Sequence, residues 1–238
     1  MGDEMTPDTD SAQPPDIYTR PGHYVDSDSP AVRAFTEAAL EALPPDATQT
    51  EMAIRLFDAV RDGLRYDPYT YDLTPGAYRA SAIAAQDAAF CVPKAILLAA
   101  CLRAAGIPAA LGFADVKNHL NTPKLAELME TDLFIFHGYV QVWLYGQSYK
   151  ITPAFNMELC DRFGVKPLVF DGTSDALFHE FDAGNRRHME YVNDRGLYAD
   201  FPADAFLEMF HRTYPKLAAL AERGDAVGDA GFGHGTPG

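Results

Sequence analysis

CVPKAILLAACLRAAGIPAALGF, residues 91–113, is the stretch whose reading decides the fold. From Val92 to Ala105 its only charges are Lys94 and Arg103, so a helix built from it is apolar nearly all round and belongs inside the domain. Gly106 and Pro108 close that helix near Ala105, and the apolar residues that follow read as a strand. Cys91 stands at the helix start, where unpaired backbone N–H groups and the helix dipole favour thiolate over thiol. That makes Cys91 a candidate nucleophile; a buried cysteine is otherwise most often a small hydrophobe in a core.

Downstream, LFIFHGYVQVWLYGQSYKITPAFN (133–156) reads as two strands around a tight turn. Phe134 to Tyr145 is rich in β-branched and aromatic residues, Gly146-Gln147 is the expected turn, and Pro153 ends the pairing. His137 lies inside the first strand, an unusual place for histidine. An imidazole there could take the proton of a thiol at a helix start and return it to a leaving group. With Gly146-Gln147 as a two-residue turn, Tyr145 faces Ser148, Gln141 faces Thr152 and His137 faces Asn156. Asn156 could then orient the imidazole, as in Cys-His-Asn enzymes, if pairing continues past Pro153.

These segments, in this order, resemble the transglutaminase-like superfamily, a papain-related group of cysteine enzymes. The resemblance rests on CLRAAGIPAALGF (101–113), HGYVQV (137–142) and ITPAF (151–155), and covers roughly residues 50–160. The stretches LCDRFGVKPLVFDG (159–172) and RRHMEYVNDRG (186–196) look like the C-terminal part of bacterial members. The family pattern has Gly before the nucleophile, Trp and Glu two and four residues after the histidine, and an acid on the following strand. Here those places hold Phe90, Tyr139, Gln141 and Thr152. A threonine hydroxyl can accept a hydrogen bond from imidazole but brings no charge to an imidazolium. The resemblance therefore implies catalytic Cys91 and His137, with Thr152 in the acid's place; Thr152 and Asn156 both stay open as the orienting group.

The expected fold class is α+β: N-terminal helices, among them the buried Cys-bearing helix, packed on an antiparallel sheet in a papain/transglutaminase-like core. Helices are expected over Pro30–Leu43 and Thr48–Leu64, and a further one runs to Tyr214, where Pro215 forces a break. Residues 1–22 read as an acidic disordered tail, 23–222 as a single domain and 223–238 as a Gly-rich disordered tail.

Composition narrows the partners. The 238 residues carry a net charge of −15, which argues against nucleic acid and anionic membrane. Neither a secretory signal nor a long uncharged apolar span is visible, and Cys91, Cys101 and Cys160 make no paired framework, so a reducing cytoplasm is expected. No cofactor and no metal is expected, since His119, His179, His188 and His211 show no ligand spacing. Gln86 is a weak candidate for an oxyanion donor beside the Cys91 N–H. Tyr66, Tyr69, Tyr71 and Tyr78 either line a groove or pack over helices. One of Asp171, Asp175, Asp182, Asp194 and Asp200 could fold back to His137 as a displaced acid.

Two classes of function follow. One is a thiol enzyme acting on a carboxamide or peptide bond of a peptide, protein or small amide, by hydrolysis or acyl transfer. The other is a catalytically impaired relative that binds peptides or other partners.

Overall fold

Two capped helices begin the domain in a computed structural model that describes residues 14–118, 122–177 and 189–224. Helix α1 (Pro30–Leu40) starts at Ser29, whose hydroxyl accepts the Val32 N–H, with Pro30 pre-set for the first turn. It ends three residues before the expected Leu43. Helix α2 (Gln49–Gly63) starts from a full capping box, Thr48 with Glu51. The short strands β1 (Arg65–Tyr66) and β2 (Ala88–Ala89) pair in parallel around α3 (Ala80–Ile83), with Tyr66 opposite Ala89. That pairing delivers Tyr66 to the start of the next helix, α4 (Cys91–Ala104).

Every residue of α4 from Val92 to Arg103 is buried, including both cations. Each cation is accommodated by backbone carbonyls that would otherwise lack partners. Lys94 Nζ donates to the carbonyls of Arg61 (2.8 Å) and Leu64 (2.6 Å) at the end of α2. Arg103 ties together the carbonyls of Ala109, Arg20 and Ala199, at 2.8, 2.9 and 2.8 Å. Burial pushes Lys94 down to about 7 and Arg103 down to about 10.

The remaining elements are β3 (Ala109–Asn118), α5 (Pro123–Met129), β4 (Leu133–Leu144), β5 (Gln147–Ile151), α6 (Met157–Phe163), β6 (Met189–Tyr198), α7 (Ala203–Thr213) and α8 (Pro215–Arg223). Pro215 separates the last two, as the sequence implies. The sheet runs β5-β4-β3-β6, antiparallel throughout. Helix α4 packs on β3 and β4, while α1, α2 and α3 surround it. The result is an α+β, papain/transglutaminase-like core.

Two expectations change. The packed chain begins ahead of residue 22: Tyr18 is buried and stacks on Trp143, ring centroids 5.2 Å apart, and Arg20 supplies a carbonyl to Arg103. An aromatic pair and a buried guanidinium hold this segment down despite its polar composition. Residues 1–13 and 225–238, most of both expected tails, lie outside the described residues.

The second change is the hairpin register. Leu144 pairs with Gln147, Gln141 with Lys150 and Val140 with Ile151, so the turn is Tyr145-Gly146. Both turn residues have positive φ, 50° and 82°, as a type I′ turn requires. The Tyr145 hydroxyl accepts the Gln49 N–H, which anchors a tyrosine where glycine or asparagine is usual. Strand β5 ends at Ile151, so Asn156 is not opposite His137 and Gln141 is not opposite Thr152.

Candidate active site

Cys91 is the first residue of α4, and Phe90, extended at φ −90° and ψ −175°, leads into it without a side-chain cap. The first-turn N–H groups are thus left to the cysteine itself. His137 sits on β4, and the next residue explains how the strand reaches the helix. A Cβ on Gly138 would stand 3.1 Å from Val92 Cα and 3.2 Å from the Cys91 carbonyl oxygen. A side chain there would push the helix start back, so glycine permits the close approach. It brings the Gly138 N–H to the Cys91 sulfur, alongside those of Val92 and Cys91 itself.

Burial pushes the Cys91 thiol up to about 11, against the opposing pull of those three N–H groups. Cys91 keeps partial exposure, whereas Cys101 is fully buried and pushed further, to about 12. His137 is buried, and burial alone pushes its imidazole down to about 4. At neutral pH the two groups are therefore thiol and neutral imidazole. Burial thus disfavours both charged forms, the thiolate and the imidazolium. In this closed form the resting state is not an ion pair.

Cys91 and His137 line one narrow cleft of about 30 Å³. Tyr66, Tyr71, Phe90 and Val92 form one wall, Phe134 and Ile135 lie beside His137, and Met129, Phe206, Phe210 and Tyr214 close it. A wider groove of about 550 Å³ adjoins it, with Tyr71 common to both; Tyr69, Asp72, Gln86, Leu217 and Leu220 are among its lining. Gln86 is exposed and belongs to this groove, away from the Cys91 cleft. Of the four tyrosines, Tyr66 and Tyr71 reach the cleft, Tyr69 lines the groove, and Tyr78 is core.

Thr152 and Asn156 do not line this cleft. The Thr152 hydroxyl donates to the Gly138 carbonyl at 3.0 Å. The Asn156 side-chain carbonyl accepts the Tyr66 N–H at 3.0 Å. Both brace backbone at the edge of the site. The aspartates of the C-terminal third are engaged elsewhere: Asp171 by Thr173 and Ser174, Asp175 by the Lys150 N–H, Asp194 by Gly196, and Asp200 by His23, Tyr24 and Val25. Asp182, His119, His179 and His188 lie outside the described residues. His211 meets Glu222 on the surface. Among the described residues no cluster of histidine, cysteine, aspartate or glutamate could hold a metal ion.

Sequence reading missed the closing wall. Phe206, Phe210 and Tyr214 share one face of α7 and its continuation, a periodicity that signals burial without saying against what. It also missed Tyr214 as a brace: its hydroxyl accepts the Ile135 N–H at 2.7 Å and donates to the Leu133 carbonyl at 2.8 Å.

A cysteine-headed helix laid against an antiparallel sheet, with a strand histidine in the same cleft, defines the papain/transglutaminase-like class. Residues 37–152 match the model of the Transglutaminase-like superfamily, so this stretch of the chain is a transglutaminase-like domain. The match spans both Cys91 and His137. A similar solved structure is that named "Putative Cysteine Protease" from Cytophaga hutchinsonii, with 14% identity and a TM-score of 0.40, covering 76% of this chain and 53% of that one. This chain thus spans about half the length of that protein. No curated protein matches it.

Proposed function

We propose that the protein is a thiol enzyme that attacks a carboxamide or peptide bond through Cys91, with His137 as general base. The observation that carries this reading is a cysteine at the first position of a buried helix that shares one cleft with a strand histidine. In the reaction, Cys91 Sγ adds to the carbonyl carbon as His137 takes the thiol proton. The helix-start N–H groups stabilise the oxyanion, and the imidazole returns the proton to the departing amine. Water then releases the acyl group in hydrolysis, or an amine accepts it in transfer. Peptides, proteins and small amides all fit this chemistry. The apolar lining of the cleft favours an acyl donor flanked by apolar groups. No helix among the described residues is long and apolar enough to cross a membrane, and three free thiols support a cytoplasmic setting.

A second reading, a peptide-binding module without turnover, draws on the size of the closed cleft. About 30 Å³ holds about one water and no acyl donor. Labelling with a peptidyl acyloxymethyl ketone, which traps a reactive thiol in a histidine-assisted site, separates the two. The enzyme reading expects one adduct on Cys91, lost in Cys91→Ala and strongly slowed in His137→Ala. The same slow labelling of Cys91, Cys101 and Cys160 would refute it.

A further inference from the structure

Phe136 is the one non-glycine residue inside a strand, among the described residues, with a left-handed backbone: φ is +54°. The other two such residues, Glu130 and Tyr145, cap a helix and form a hairpin turn, where the conformation is ordinary. A bulky residue in this region costs about 1–3 kcal/mol and persists only where its surroundings enforce it. Here the strained residue immediately precedes His137.

The ladder shows the cause. Ala114 pairs with His137 but Val116 pairs with Phe134, so Asp115 on β3 faces two residues of β4, Ile135 and Phe136. This is a bulge, a device that re-aims side chains. The carboxylate of Asp115 fills it. Asp115 Oδ1 accepts the Phe136 N–H at 3.1 Å, and Arg195 on β6 grips the same carboxylate through Nε (2.6 Å) and Nη2 (2.9 Å). Asn193 Nδ2 adds a contact at 3.4 Å. The Arg195 guanidinium also lies over the Phe136 ring, 4.3 Å from its centroid, while that ring packs between Phe113 and Phe206. Both the N–H and the side chain of Phe136 are thereby fixed by one ion pair. The pair is largely buried, the Asp115 side chain 8% exposed and the Arg195 side chain 18%.

A buried ion pair is a poor way to add stability, because an apolar pair of similar volume commonly does as well. It is a good way to enforce one backbone geometry, since the carboxylate must accept from an N–H that the bulge removes from the ladder. The contribution is one of aim.

We propose that Asp115, locked by Arg195, is the positioning residue for His137: it holds Phe136 left-handed and so turns the following imidazole toward the Cys91 cleft. This rests on the reading of Cys91 and His137 as nucleophile and base. It also assigns to strands β3 and β6 the orienting task that the family pattern gives to the acid on the strand after β4, where Thr152 now stands.

The test is the rate of Cys91 carboxymethylation by iodoacetamide against pH, by intact mass and peptide mapping, in the full chain, in Asp115→Ala, Arg195→Gln, Arg195→Lys and His137→Ala. In His137→Ala the rate at pH 7 should drop at least about tenfold and then climb steeply toward alkaline pH, as for an unassisted thiol. Asp115→Ala should reproduce most of that profile while its circular dichroism stays that of wild type. Arg195→Gln should do the same, and Arg195→Lys should recover part of the loss because it keeps the charge without the fork. If His137→Ala shows the loss while folded Asp115→Ala and Arg195→Gln keep the wild-type profile, the positioning role is wrong and the catalytic reading stands. If His137→Ala itself leaves the profile unchanged, the reading of the site falls and this proposal falls with it. Should Asp115→Ala not fold, the two Arg195 variants decide on the same criterion.

Discussion

Helix α4 and the β4 segment 133–138 meet at the candidate site, yet they are held in opposite ways. Helix α4 is positioned by its own composition: a run of buried apolar residues, two cations spent on carbonyls, and neighbours on every side. The β4 segment is positioned by polar side chains from elsewhere. Tyr214 holds Leu133 and Ile135, Asp115 holds Phe136, and Thr152 holds Gly138. Cys91 is placed by local sequence, His137 by long-range contacts. Packing should therefore dominate the stability of the first, while losses in the second should show mainly in chemistry.

The largest effect expected is in α4. Leu98→Ala removes a fully buried side chain and should cost about 3–4 kcal/mol in denaturant unfolding. A loss below about 1 kcal/mol would mean that α4 is not the packing centre.

Next comes acid. The folded-state value of His137 is about 4 against a usual 6.5, so between those values the unfolded chain binds more protons and stability falls as pH drops. Relative to His137→Ala, wild type should lose on the order of 3 kcal/mol between neutral pH and pH 4. An unchanged difference between the two proteins would show that His137 is not buried in its neutral form.

The brace from α8's doorstep should be weaker. Tyr214→Phe leaves the Ile135 N–H and the Leu133 carbonyl without the hydroxyl, at about 1–2 kcal/mol. The comparison is sharpened if this variant also changes the Cys91 alkylation rate, because Tyr214 closes the cleft. A stability loss with no change in rate would make Tyr214 a structural tie alone.

Lys94 gives the smallest effect. Its value near 7, against 10.5 unfolded, means that the folded chain loses its proton first, so stability rises with pH from about 7. Wild type should gain about 1 kcal/mol between pH 7 and 8, a gain absent in Lys94→Met. Above pH 9 the raised thiols oppose the trend, because the unfolded chain then ionises them first.

The same contrast explains what could be read from sequence. Helix α4, its capped predecessors α1 and α2, the break at Pro215 and the order of helix, strand and hairpin follow from periodicity, caps and proline, all local. The cleft pairing of Cys91 with His137 also came from motif order. The hairpin register did not, because Tyr145 takes a positive φ that its type disfavours and only the distant Gln49 N–H compensates. Asp115 carries no local signal of its place in the fold. Nothing near it in sequence announces Arg195, 80 residues on, or the bulge at Phe136. Thr152, read as a candidate partner for the imidazole, turns its hydroxyl to the Gly138 carbonyl, and the observed register would set it opposite Tyr139 rather than His137 even if the strand ran on.

The central claim is that Cys91 is the nucleophile of a histidine-assisted thiol site. Its most direct measurement is selectivity among three cysteines: substoichiometric iodoacetamide at pH 7, native conditions, followed by peptide mapping. The account predicts that Cys91 takes nearly all the label, that the buried Cys101 and Cys160 take almost none, and that the rate of Cys91 labelling falls at least about tenfold in His137→Ala. Label spread evenly over the three thiols, or a Cys91 rate indifferent to loss of His137, would contradict it.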